Sequence, residues 1–171
     1  MREQNERGRS LVEMLAVVSI MGVLLVGAMS ALRFGMTSMQ VSSAYNLIEN
    51  IAEGVGDLYS WNRGYPEESD AAAMRQRILA SSDACEGCKA SATGAVEVDL
   101  PWGLDGDNAM IIQPGDKDHF EILLPAVPKD VCLRLQAMQW NYAEWVAPEK
   151  CQRTRLERRK EYVEGIIFHV H

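Results

Sequence analysis

The chain is poor in the residues that most often carry chemistry. Among its 171 residues are three histidines, His119, His169 and His171, none with metal-ligand spacing or an adjacent nucleophile, and they read as structural. No Gly-rich phosphate loop, no defensible pair of catalytic acids and no internal repeat is found. Asp105, Asp107 and Asn108 look like half of a calcium loop, but no glutamate follows at the distance that would close it, so they read as a turn. Neither enzymatic activity nor a resident cofactor or metal is expected. Positive charge is scarce as well. The formal net charge is −7, and phosphate binding needs clustered Lys and Arg, so nucleic acid is not expected as the partner of the whole chain. The length suits one modest globular domain plus an extra segment.

That extra segment is at the start. Residues 1–8 are polar, and residues 11–32 are almost wholly apolar. As a helix, 22 residues rise about 33 Å, enough for a hydrocarbon core of roughly 30 Å. The run is too long for a secretory signal, whose apolar core is shorter and is followed by its cleavage site. Arg2, Arg7 and Arg9 precede it, and only Arg33 follows closely, so the start stays cytoplasmic and the bulk is exported. Glu13 stands three residues inside the run. A charge there costs about 2.5–3.5 kcal/mol near the bilayer centre and less toward the interface. Glu13 either lies at headgroup depth, favoured by the helix dipole, or awaits a cation from another subunit.

Four cysteines, Cys85, Cys88, Cys132 and Cys151, lie beyond this run. An even number in an exported segment points to disulfides, and all three pairings are open. Cys85-Glu86-Gly87-Cys88 can be a local disulfide, half a zinc site or a redox pair. Redox chemistry would want it opening a helix after a strand, whereas a loop precedes it and Lys89-Ala90-Ser91 follows.

Helical periodicity continues past Arg33. Leu47, Ile48, Ile51, Val55, Leu58 and Tyr59 form one stripe, with Glu49, Asn50, Glu53 and Asp57 largely off it. One helix over 10–60 is expected, apolar all round in its first half and amphipathic in its second. After a break at 61–66, a short helix is expected over 71–79, capped by Ser69 or Asp70. Strands follow at 96–100, 109–112 and 120–124, then a helix over 129–140 with Pro128 at its start, and a last strand over 162–170. The fold class is α+β: a long N-terminal helix packed against a small antiparallel-sheet head. Arg153, Arg155, Arg158, Arg159 and Lys160 oppose the single Glu157, a local excess of +4 within eight residues. Such a run is a solvated face, a docking surface for acidic residues of another subunit around Glu49, Glu53 and Asp57, or a binding site for DNA or an anionic surface.

The N-terminus resembles the type IV pilin family. Members carry a short leader ending in Gly, then an apolar helix with Glu at the fifth mature position; here Gly8 and Glu13 match, and Ser10-Leu11-Val12-Glu13 stands where the family has Thr-Leu-Ile/Val-Glu. The resemblance implies a leader over 1–8, a transmembrane and assembly half-helix over 9–33, and an amphipathic half-helix plus head over 34–171. It implies cleavage between Gly8 and Arg9 by a prepilin peptidase, and methylation of the new amine at Arg9. It implies pairing of Glu13 with a neighbour's N-terminus. The family usually begins with Phe, and Arg9 departs from that. The implied partners are further copies, other pilins, the peptidase and an inner-membrane assembly platform. The implied location is the inner membrane with the head in the periplasm, then an extracellular fibre for adhesion, motility or DNA uptake. A secretion-system pseudopilin shares this N-terminus and is the alternative.

The head has a second resemblance, to type IVb pilins, in Pro101-Trp102-Gly103 and Val127-Pro128-Lys129-Asp130-Val131-Cys132. It implies that Cys132 pairs with Cys151 to bound a C-terminal region, leaving Cys85 to Cys88.

Overall fold

The computed structural model describes residues 3–61, 64–66, 70–81, 84–90, 96–102, 109–152, 155–157 and 160–171, and for 3–10, 155–157 and 160 the backbone alone. The chain forms two compact units, Met1–Met39 and Gln40–His171.

Helix α1 runs Glu3–Tyr59, and α2 follows at Ala71–Ala80. The expected helix over 10–60 therefore starts a few residues earlier and ends as anticipated, where the chain breaks ahead of Gly64, a residue at φ 139°. Helix α2 buries Met74 and Ile78, one turn apart. Asp70 occupies its N-cap position without making the side-chain hydrogen bond expected of a cap; Ser69 lies outside the described residues.

Strands β1 (Lys89–Ala90), β2 (Val96–Asp99), β3 (Ala109–Pro114) and β4 (Phe120–Pro128) lead into α3 (Lys129–Gln136). Then come β5 (Ala143–Ala147), β6 (Arg155–Glu157) and β7 (Lys160–Val170). All pair antiparallel in one seven-stranded sheet of order β1-β2-β3-β4-β7-β5, with β6 also on β7. The α+β class with a long helix on a small antiparallel sheet is therefore observed. Helix α3 stops four residues short of the expected end. Past its C-cap at Ala137 the chain turns to seat Trp140 against Tyr45 and Phe168.

The core of Gln40–His171 lies between the second half of α1 and one face of the sheet. From α1 it takes Val41, Ala44, Ile48, Ile51, Ala52, Val55 and Tyr59. The sheet supplies Phe120, Ile122, Leu124, Ile166 and Phe168, all at 0% exposure. Alternation along β4 and β7 turns the intervening residues, among them Glu121 and His169, to the other face. Trp102 is buried with its indole N–H donating to the Ala126 carbonyl at 2.9 Å, which satisfies the only polar group it brings inside.

Candidate functional site

Helix α1 gives the apolar run its form. From Leu11 to Met39 its large hydrophobic side chains are between 52% and 74% exposed. An 18-residue window of it has a mean hydropathy of 2.4 with none of that window buried, so among the described residues one helix is long and apolar enough to cross a membrane. Apolar surface of this extent is not stable in water and calls for lipid or neighbouring helices. The few polar groups in it fit such a setting. The hydroxyls of Ser19, Ser30 and Thr37 donate to the carbonyls of Leu15, Val26 and Arg33, four residues back, at 2.7, 3.0 and 3.1 Å. Each is satisfied within the helix and asks nothing of a lipid tail.

Glu13 is the exception. It is exposed on the apolar helix, and no charged partner reaches it among the described residues. Gly8 and Arg9 lie in the first turns of α1, so the Gly8–Arg9 bond is in helical backbone; the Arg9 side chain lies outside the described residues. Gly22, Gly27 and Gly35 have no atom within 4 Å of an added Cβ, so their missing side chains answer no crowding within this chain.

The cysteines form two local crosslinks, Cys85–Cys88 with Cα atoms 5.6 Å apart and Cys132–Cys151 with Cα atoms 6.0 Å apart. No cysteine is free. Cys132 is fully buried on α3, and Cys151 follows β5. Cys85 and Cys88 sit between α2 and β1, and strand rather than helix follows Cys88, unlike the arrangement thioredoxin chemistry uses.

Glu49, expected off the apolar stripe and on an exposed acidic face, is instead buried. It is 8% exposed. Its carboxylate accepts the backbone N–H groups of Asn141 at 2.7 Å and Tyr142 at 3.2 Å, pinning the α3–β5 connection to α1. Two N–H donors can hold a buried carboxylate that would otherwise be costly. Glu49 is thus a fastener inside the head and not part of an exposed docking face. Glu53 accepts a hydrogen bond from the Tyr142 hydroxyl at 3.3 Å. Its negative charge first, and that hydrogen bond next, hold the Tyr142 phenol above its ordinary pKa. Glu53 and Asp57 do line an open groove with Glu86. Of the basic run, Arg153, Arg158 and Arg159 lie outside the described residues, as do Asp105, Asp107 and Asn108 of the turn.

The histidines, set aside one by one in the sequence, are brought together by the sheet. His119 and His169 stack with ring centroids 3.9 Å apart, beside Glu121. The signal was the two-residue spacing of 119 and 121, and of 169 and 171, at the start of β4 and the end of β7. The pairing of Glu121 with His169, 48 residues away, was not legible.

No protein-family model, no curated protein and no solved structure matches this chain.

Proposed function

We propose that the chain is a structural subunit of a type IV pilus, cut after Gly8 and polymerised through the apolar half of α1. One observation carries the reading. Glu13 stands five residues after Gly8, exposed on the apolar first part of α1, where residues 11–36 are almost all exposed, with no charge of its own chain to meet it among the described residues. In this reading Arg9 becomes the new N-terminus and the substrate for methylation. Its amine on one subunit meets Glu13 of the next. Each charge is costly alone in lipid, and the two offset each other when subunits stack in register. A slip of one helical turn, about 5.4 Å, would separate them, so the pair sets the axial register as well as favouring contact.

The apolar span holds the subunit in the inner membrane before assembly, with the head on the periplasmic side. The paired cysteines suit that compartment, because disulfides persist in oxidising surroundings. Cys132–Cys151, bounding the C-terminal region as in type IVb pilins, favours a pilin over a secretion pseudopilin. Mass spectrometry of the membrane fraction tests the proposal: the mature chain should begin at Arg9, and a chain still beginning at Met1 would overturn it.

A further inference from the structure

The outer face of the sheet carries a convergence of donors. Antiparallel register sets Gln113 opposite Glu121, Glu121 opposite His169, and Glu144 opposite His169 on its other side. The result is one polar row across β3, β4, β7 and β5. His119, one residue before β4 and two before Glu121, adds its ring to the same face. One ligand atom each from His119, Glu121 and His169 all lie within 4.8 Å of one another.

These groups are held in place. Glu121 Oε1 lies 3.5 Å from His169 Nε2, while its Oε2 accepts from the Gln113 amide at 2.7 Å. The Glu121 and His169 side chains are 24% and 26% exposed, so both are largely removed from water. The His119 ring rests on the β3–β4 turn at Gly115, where an added Cβ would come within 2.7 Å of ring atoms Cδ2 and Nε2. His171, whose ring centroid is 5.8 Å from that of His119, points its Nε2 at Glu144 Oε2, 3.3 Å away.

A stacked histidine pair steadied by a glutamate could be surface packing alone. Two imidazoles and a carboxylate, however, are the donor set of open tetrahedral zinc sites, and the carboxylate already has an outer partner orienting it. Zinc–nitrogen bonds of about 2.0–2.1 Å in tetrahedral geometry put donors about 3.3 Å apart, so the three need only a modest rotation inward. Imidazole selects zinc, copper and nickel over calcium and magnesium. We propose that His119, Glu121 and His169 form a divalent transition-metal site, zinc foremost, that ties the start of β4 to the end of β7. Water fills the remaining position, or His171 does by turning from Glu144. All four cysteines are in disulfides, so no thiolate competes for the metal.

The test is a zinc titration of the full chain, made without a polyhistidine tag, chelator-treated and held in detergent, with calorimetry and imidazole NMR as readouts. Wild-type protein should take up one equivalent saturably, calcium should not displace it, and the ring signals of His119 and His169 should shift together. The pair of substitutions His119→Ala and His169→Ala should abolish that equivalent. Gln113→Ala, which removes the outer partner of Glu121, should weaken it about tenfold. Absence of saturable uptake by the wild type, ring shifts confined to His171, or one equivalent still bound by the double variant would each overturn the site. The NMR arm decides the matter even where a variant fails to fold.

Discussion

Helix α1 contains two regions of similar composition and opposite fate. Its residues before Gln40 and after Met39 both draw on Val, Ile, Leu, Met and Ala. Yet Leu11, Val12 and Leu15 are more than half exposed, while Val41, Ala44, Ile48 and Val55 are at 3% exposure or below. What separates them is arrangement. In the later region apolar residues return every three or four positions with charges between, so one face finds a partner within the chain. In the earlier region they cover the whole circumference, and the described residues of the chain leave them exposed. A helix of this kind stabilises a fold with its second half and leaves the apolar surface of its first uncovered.

Substitutions matched across the two regions would sharpen or break that contrast. The largest difference is expected from truncating a stripe residue. Ile48→Ala should cost the head about 2–5 kcal/mol, because Ile48 is fully buried against the sheet. Leu24→Ala, at a position 65% exposed, should change it by no more than about 0.5 kcal/mol. Urea unfolding in detergent, followed by near-ultraviolet circular dichroism, measures both, and equal effects would dissolve the distinction. Next comes the Cys132–Cys151 crosslink, which spans a sequence separation of 19. Replacing both with Ser should lower stability by about 3 kcal/mol in the chain-entropy picture. The same measurement reads it, and the apolar half of α1 should keep its helical signal. Smaller effects follow at two glycines, with opposite signs. An added Cβ on Gly54 would lie 2.6 Å from the Ala84 carbonyl oxygen, so Gly54→Ala must push α1 from the loop before Cys85, at about 1–3 kcal/mol. Gly22 meets nothing, and Gly22→Ala should raise helix stability by up to about 1 kcal/mol in detergent. A loss there in the monomer would mean that the space around Gly22 is used within the chain.

Much of this division was legible from residue order. The stripe from Leu47 to Tyr59 and the alternations at Val96, Val98 and Phe120, Ile122, Leu124 each report a local period that burial enforces; their element types were read correctly, although β4 runs on to Pro128, four residues past the expected end. What escaped depends on distant pairing. Strand β5 buries only Ala143 and has little alternation to show; it is a strand because β7 supplies its ladder. Strands β1 and β6, of two and three residues, are too short to carry a period. Glu49 looked like a solvent-facing charge because its N–H partners are 92 and 93 residues away. The histidine–glutamate cluster was hidden for the same reason, being assembled by the register of β4 on β7. In α1 the two positions on which the proposed assembly rests, Gly8 and Glu13, stood out in the sequence because their spacing is local.

The central claim is that the apolar half of α1 serves contacts between chains, with Glu13 as the charge that fixes them. Its most direct test is Glu13→Ala in cells, scored together for N-terminal mass, head stability and surface fibres by electron microscopy. The expected result is a chain trimmed to Arg9, a head as stable as the wild type, and fibres nearly absent. Fibres at wild-type abundance on such cells would contradict it.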